Sequence, residues 1–402
     1  MKYAFYPDAP PMQQGGHANH STAWSWSQAM KDHIGLTITR RFHRRVDPEP
    51  IRQAIGMPII FYPDFSRLGL RRFSDMLRCA LDTLVFIFCL PWLASEIHRQ
   101  GCTRIFAFPS GWWTCLLNAY LLGWATGLPV DVYVVDDIEA LAVKDNKLLR
   151  ARITRWAEQY FLPRFAKVYT LSKGHAELFQ EKYGVTCEWL PLVIRSRTIE
   201  YTSPPKEGEI RYIGFSGSMN EYYAEALTEL NRVVTHLNET TPHRYKIALC
   251  VITSNLPDIF PDPSVVELFV NLPNAQLVER LKLNYANYLP FSFSESLRIL
   301  VSTSFSCKAA EYFAAGRPIL VYGPAYSSTA RHFLENNLPL VETTRGRLEG
   351  LIASVDAVDT PELIARYREV IQKYHSPEAL RHQLLTFERP IAQDPSAPAQ
   401  VH

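Results

Sequence analysis

The sequence predicts an α/β protein made of two doubly wound parallel-sheet domains, and three observations carry that prediction. Short apolar runs of strand length alternate with longer helical stretches along most of the chain, which is the rhythm of a parallel sheet. One stretch breaks the rhythm: residues 195–209, RSRTIEYTSPPKEGE, are polar, hold a double proline and read as a linker. A chain of 402 residues with 47% apolar composition can also bury two cores of ordinary size. The expected division is a first domain over 1–194, the linker, a second domain over 210–375, and a terminal segment over 376–402 whose end lacks apolar content.

Charge and cysteine usage narrow the class of partner. The 42 basic and 40 acidic side chains leave a formal charge of +2, so no global field draws the chain to nucleic acid, and any membrane contact must come from a local patch. Seven cysteines are scattered at positions 79, 89, 102, 115, 187, 250 and 307 without a C-x-x-C pair. Embedded in apolar runs, they read as reduced thiols of a cytoplasmic protein and not as a disulfide frame or zinc site. The first sixteen residues lack the apolar core of a signal peptide.

The first strand is expected at 2–6. In the loop behind it, PPMQQGGH, Gly15 and Gly16 would let a ligand approach the backbone, and His17 either points at that ligand or is solvated. A helix begins near Ser21, a short strand covers 58–62, and 68–99 runs helix-like with Pro91 as its breaker. The all-apolar part, 84–90, is about half of the ~20 residues a spanning helix needs, so no transmembrane segment is expected. Arg67, Arg71, Arg72 and Arg78 precede it. Together they describe either a basic, apolar face that meets an anionic membrane surface or a core helix with a solvated basic end.

Strands at 104–108 and 130–135 flank a helix over 112–124, and Asp136 and Asp137 close the second of them. Carboxylates at the carboxyl end of a parallel strand point at the ligand crevice, although an Asp in that place also caps the helix or turn that follows. A helix over 148–161, a strand at 167–171, a helix capped by Ser172 with Lys173 beside it, and a strand at 188–192 complete the domain. The second domain opens with a strand from 210, the Gly214-x-x-Gly217 turn with Ser218, and a helix from about Glu221. Strands at 246–252, 265–270 and 285–291 follow, with a helix over 274–283. Ser292, Ser294 and Glu295 then head a loop, and the closing elements are a helix from Ser327, a strand at 339–342 and helices over 348–355 and 361–374.

The stretch 304–324, SFSCKAAEYFAAGRPILVYGP, organises the second domain. Ser304 and Ser306 are expected to cap a helix opening near Cys307, so that its backbone N–H groups and positive dipole end suit a phosphate, with Lys308 as a mobile cation. Glu311 lies one turn on, where it either reaches a sugar hydroxyl or pairs with Lys308 as an ordinary i,i+3 surface couple. Gly316 ends the helix, Pro318 prevents its continuation, and 319–322 read as a buried strand that Gly323-Pro324 stops at the ligand-binding end.

Residues 307–319, CKAAEYFAAGRPI, resemble the donor-site signature of GT-B glycosyltransferases of the retaining, family-4-like kind, S-K-x-x-E-Y-x-A-x-G-x-P-I. Residues 286–292, ANYLPFS, are similar to another strand end of that family, with Asn287 in place of the usual acid, and 166–185 are similar to its strand and helix late in the first domain. The resemblance implies two Rossmann-like domains facing a cleft, with Glu311 on the ribose of a nucleotide sugar and the loop of Gly217 and Ser218 against its phosphates. A second glutamate of the family falls on Thr303, and the basic residue that commonly follows the loop is missing. Phosphate charge is thereby shifted onto Lys308, Arg317 or a further residue, and Ser306 is another candidate for binding the donor. Gly15 and Gly16 match the family's cleft loop, Asp137 its shared aspartate and Asp136 its histidine position, so that these carboxylates and His17 would present the acceptor. The implied activity is transfer of a sugar, with retention, to a cell-surface glycan, lipid-linked or small-molecule acceptor, in the cytoplasm or at the inner face of the cell membrane. The donor is a substrate and no cofactor is expected; no metal is expected either, since no D-x-D triplet occurs. Two other readings stay open: a non-catalytic donor-binding or assembly subunit, and a nucleotide-sugar epimerase on the same scaffold.

Overall fold

A computed structural model of the chain describes residues 1–12, 18–40, 48–63, 75–109, 113–194, 199–203, 206, 208–251, 256 and 258–386. The chain divides into two compact units: one holds Met1–Leu171, Ala176–Pro191 and the segment from Pro377, the other Ser172–His175 and Leu192–Ser376.

Unit 1 is built on seven parallel strands, β1 (Tyr3–Pro7), β2 (Ile34–Arg40), β3 (Ile59–Tyr62), β4 (Arg104–Phe108), β5 (Val130–Val134), β6 (Lys167–Thr170) and β7 (Glu188–Trp189). Their order is β3-β2-β1-β4-β5-β6-β7, so the direction of winding reverses between β1 and β4. Its helices are α1 (Ala18–Ala29), α2 (Pro48–Ile55), α3 (Asp75–Arg99), α4 (Trp113–Thr126), α5 (Ile138–Lys144), α6 (Leu148–Phe161) and α7 (Lys173–Tyr183), which begins in the second unit's share of the chain. All five residues of β1 and of β5 are buried, as a central strand covered on both faces requires. Helix α3 sends Phe86, Leu90, Leu93 and Ile97 into the core at i, i+4, i+7, i+11, each worth about 1.5–3 kcal/mol when fully buried. Pro91 interrupts the helical hydrogen bonding on the exposed side of α3, away from the core. The helical prediction for 68–99 therefore holds from Asp75, and the apolar stretch is longer than 84–90: Cys79–Arg99 would cross a membrane by length and composition alone. The arginines at 67, 71 and 72 lie outside the described residues.

Unit 2 repeats the plan with six parallel strands, β8 (Arg211–Ser216), β9 (Tyr245–Val251), β10 (Val266–Val270), β11 (Ala286–Pro290), β12 (Ile319–Tyr322) and β13 (Val341–Glu342), in the order β10-β9-β8-β11-β12-β13. The helices are α8 (Glu221–Thr240), α9 (Asn274–Lys282), α10 (Arg298–Thr303), α11 (Lys308–Ala315), α12 (Ser328–Glu335), α13 (Leu348–Ala353), α14 (Val355–Val358) and α15 (Pro361–Val370). The last described helix, α16 (Pro377–Thr386), belongs to unit 1, where Gln383 Nε2 donates to the Trp189 carbonyl at 2.5 Å. The two sheets fit the predicted fold class, two doubly wound α/β halves, and in each the reversal puts a crevice at the carboxyl ends of its first and fourth strands.

Arg317 anchors the opposite, amino edge of the unit 2 sheet. Fully buried, it donates from Nε to the Asn284 carbonyl at 2.8 Å and from Nη2 to the Tyr285 carbonyl at 3.0 Å, and pairs with the Asp359 carboxylate at 2.6 Å. It also donates to the Thr202 carbonyl. The expectation that Arg317 shares the phosphate charge is thus corrected: the parallel register holds it at the far end of β12 from any ligand at the carboxyl edge. A second buried link joins His332 on α12 to His375, whose Nε2 atoms lie 3.1 Å apart, while His375 Nδ1 donates to the Leu192 carbonyl at 2.8 Å. The carbonyl fixes the His375 proton on Nδ1, so His332 must donate across the pair and both rings are neutral. Burial lowers His332 to about 3, with His375 adding to the effect, and lowers His375 to about 4.

Arg317→Met should destabilise the protein by about 3–5 kcal/mol in chemical denaturation, because it strands a buried carboxylate, and Arg317→Met with Asp359→Leu should recover much of the loss. The neutral histidine pair makes a separate prediction. Its stabilisation is complete above the unfolded value near 6.5 and drains away as pH falls toward 4, since the unfolded imidazoles bind protons first. The expected loss at pH 5 is on the order of 2–4 kcal/mol, and a His332→Phe, His375→Gln protein should show a flatter profile between pH 7 and pH 5.

Candidate functional site at the carboxyl edge of unit 2

The turn after β8 makes the centre of the site. Gly217 has φ +102°, a conformation L residues rarely adopt, and a Cβ there would lie 2.9 Å from Lys308 Cε. The glycine thus lets the first residue of α11 lay its chain across the turn. Lys308 Nζ rests 3.9 Å from the centre of the Tyr223 ring and 5.2 Å from that of Phe215. Helix α11 is pinned here by Tyr312, whose hydroxyl accepts the Ser216 N–H at 2.9 Å. A lysine at a helix N-terminus adds positive charge to the positive end of the dipole. That arrangement costs stability in an empty protein and favours a bound anion.

Glu311 stands one turn along α11, partly open to solvent. Burial lifts its carboxyl to about 7, against the pull of its own backbone N–H and of Lys308, so it changes charge close to neutral pH. A carboxyl held near neutrality beside a lysine in a crevice is the kind of perturbed group that marks functional sites. Lys308, Glu311 and Gly217 are therefore brought together as the sequence led one to expect, with Ser218 exposed on the same turn.

Other expectations are revised. Neither Ser304 nor Ser306 caps α11: Cys307 holds the cap position in helical conformation without a side-chain bond to the backbone. Ser306 Oγ is buried and makes no hydrogen bond, while its backbone N–H is satisfied by Thr329 Oγ1 at 3.2 Å. Thr303, at the place of a family glutamate, turns its hydroxyl back to the Ile299 carbonyl at 2.9 Å and is spent inside α10. Asn287 is buried and accepts from Asn284 Nδ2 at 2.8 Å, and Gly214 exists to admit that pair, since a Cβ would fall 1.8 Å from Asn284 Nδ2. Ser292 donates to Glu225 at 3.1 Å, and Glu225 also pairs with Arg345 at 2.6 Å. Lys173 pairs with Glu335 at 2.5 Å.

In unit 1 the acids after β5 divide. Asp137 is buried, caps α5 by accepting the Ala140 N–H at 2.8 Å, and lies 3.6 Å from Lys182. That leaves Asp136 as the acid with open surface, its carboxyl raised by burial and then by the neighbouring Asp137 charge. Below Asp137 a packed network follows: Glu139 accepts from Lys182 at 3.0 Å and pairs with Arg155, and Tyr183 donates to Glu158 at 2.7 Å. Burial raises Glu158 to about 8. Gly15, Gly16 and His17 lie outside the described residues.

Sequence reasoning overlooked three groups. Asp8, directly after β1, and Arg40, at the end of β2, pair at 2.8 Å on the carboxyl edge of unit 1, with Asp82 3.6 Å from Arg40. Tyr223, the platform under Lys308, was hidden in an ordinary helical start; its signal is the spacing from Asn220, which caps α8. Among the described residues no group of three or more His, Cys, Asp or Glu side chains could hold a metal ion.

No protein-family model matches the sequence, and no curated protein matches it. Solved structures do match the fold. A UDP-forming α,α-trehalose-phosphate synthase from Burkholderia xenovorans, in complex with glucose-6-phosphate, superposes with a TM-score of 0.60 at 11% identity, over 96% of this chain and 99% of that one. The trehalose-6-phosphate protein of E. coli bound with UDP-2-fluoro glucose gives 0.57 at 11%, over 96% and 98%. UGT2 of Phytolacca americana, complexed with UDP-2-fluoro-glucose and pterostilbene, gives 0.51 at 10%, over 96% and 99%. With its two sheets wound alike around one reversal each, the chain has the GT-B fold of the glycosyltransferases.

Proposed function

We propose that the protein is a glycosyltransferase that moves a sugar from a nucleotide-sugar donor to an acceptor hydroxyl. The observation that carries this reading is Lys308, poised over Tyr223 against Gly217, with a carboxyl titrating near neutrality one turn away. The fold supports the same reading, as do structural neighbours named for UDP-sugar complexes, although a fold by itself hosts many activities.

In the proposed reaction the bond between the anomeric carbon and the phosphate oxygen breaks, and the oxygen keeps the electron pair. Charge grows on the diphosphate and is met by Lys308 and the positive end of α11, groups already in place before the reaction starts. Glu311, when ionised, accepts from the ribose hydroxyls and orients the donor. The acceptor oxygen forms the new glycosidic bond and yields its proton to the departing phosphate. Orientation of that acceptor, a glycan, lipid-linked or small molecule, by Asp136 is part of the proposal and rests on the sequence resemblance. Retention of anomeric configuration is part of the proposal and rests on the sequence resemblance.

Lys308→Ala should lower kcat/KM for the donor by about 100- to 1,000-fold, read as release of nucleoside diphosphate. Tyr223→Leu, which removes the platform but not the charge, should cost only about two- to fivefold. A Lys308→Ala protein with full activity would overturn the phosphate role; donor bound but never cleaved would indicate a binding subunit, and an isomerised sugar still on its nucleotide an epimerase. Glu311→Gln should raise the donor KM about tenfold and remove a pH dependence centred near 7. The carboxylate's charge opposes folding above its unfolded value near 4.5, so the same substitution should stabilise the protein by about 1–2 kcal/mol at pH 8 and hardly at all at pH 4, in melts without donor.

A further inference from the structure

The outward side of α3 is apolar from Leu77 to Trp92, before Ser95, His98 and Arg99 end the stretch. Leu77, Leu84, Ile87, Phe88 and Trp92 follow one another at helical spacing on the surface, Phe88 with 84% of its area exposed. Helix α3 packs on α4, which carries no charged residue and exposes 76% of Trp124, and α4 packs on α6. On α6 the exposed Trp156 and Tyr160 stack with ring centres 5.7 Å apart, and the Arg164 guanidinium lies 3.8 Å over the Tyr160 ring. One face of three helices therefore presents aliphatic and aromatic side chains with a guanidinium at its border. Soluble monomers rarely leave such a face uncovered.

Along α6 the face is bordered by arginines. Arg152, Arg155 and Arg164 are exposed on or just after α6, whereas Glu158, the acid of that helix, is buried. On α3, Asp82 lies against Arg40 and Glu96 is bound by Arg99. The middle of the face offers almost no hydrogen-bonding group, unlike a protein interface, which needs about one bond per 100–200 Å². A second copy would also have to supply acids that this face does not expose. Nor does α3 itself span a bilayer, because Phe86, Leu90, Leu93 and Ile97 fasten its other side into the core of unit 1.

From these observations we infer that the α3–α4–α6 face of unit 1 is a membrane-docking surface. It lies flat on an anionic bilayer, with Phe88, Trp92 and Trp124 in the headgroup boundary and Arg152 and Arg164 on lipid phosphates. Apolar area supplies the hold and the arginines the preference for negative lipid.

The test is flotation of the full chain with phosphatidylcholine vesicles and with equimolar phosphatidylcholine–phosphatidylglycerol vesicles. Wild type should float with the anionic vesicles. Phe88→Ser with Trp92→Ser and Trp124→Ser should reduce its partition at least about tenfold, and Arg152→Ser with Arg164→Ser about fivefold per arginine on anionic vesicles only. These side chains are exposed, so an unchanged melting temperature should accompany both variants. Quenching of tryptophan fluorescence by brominated lipid should be strong in wild type and weak after Trp92→Ser and Trp124→Ser. Wild type that stays in solution with both vesicles would overturn the inference, whether it runs as a monomer or as a dimer that the triple variant splits. Equal flotation of wild type and triple variant would also overturn it.

Discussion

A parallel sheet whose winding reverses beside its first strand cannot fill the space between the two connections that leave that point in opposite directions, and this constraint governs both halves of the molecule. In unit 2 the space falls between the turn after β8 and the elements after β11 and β12. Everything argued to touch a donor sits there: Gly217 because only a residue without a side chain leaves room for Lys308, and Lys308 because Tyr312 ties its helix to the end of β8. The same constraint sorts the charged residues by edge. Lys308 and Arg317 are nine positions apart, yet one faces the crevice and the other is walled in at the amino ends of β11 and β12, since a helix and a turn lie between them.

The alternation of strand and helix was legible because parallel strands buried on both faces read as apolar runs, as in β1, β5 and β12. Strand β2 was not, because Thr37 and Thr39 occupy fully buried positions and blur the pattern of IGLTITR. Short helices such as α5 and α10 give too few turns for a periodicity to show. At the site, Lys308, Glu311 and Gly217 could be found because their spacing along a turn and a helix already dictates their neighbourhood. The fates of Ser306 and Arg317 could not, since each depends on which distant group lies within hydrogen-bond reach, whereas Thr303 and Asp137 bond within their own helices, Asp137 as the helix cap that an Asp after a strand offers. Asp8 and Arg40 illustrate the same limit, being brought together from the ends of two strands.

Polar residues in this protein divide into those that finish their bonds inside the fold and those that do not. Thr303 and Asn287 finish theirs within a helix or a neighbouring turn, and such residues hold shape. Glu311 is answered by its own backbone N–H and the field of Lys308, and Lys308 by an aromatic platform, at some cost to stability. Sites that must receive a charged ligand keep such unmet demand, and the rest of the sheet supplies the stability that offsets it.

The bond from His375 to the Leu192 carbonyl, together with the Ile194 N–H donating to the His375 carbonyl at 2.7 Å, brings the two ends of the Leu192–Ser376 stretch side by side. In chain order that stretch is an insertion between Pro191 and Pro377 of the other unit, and Ser172–His175 is a second, shorter one. Neighbouring termini are what allow one domain to be grafted within another without tearing the host. Excising Leu192–Ser376 alone would nevertheless leave behind Ser172–His175, whose Ser172 hydroxyl donates to the Thr303 carbonyl at 2.6 Å, so a graft that keeps the unit whole must carry that tetrapeptide as a second piece.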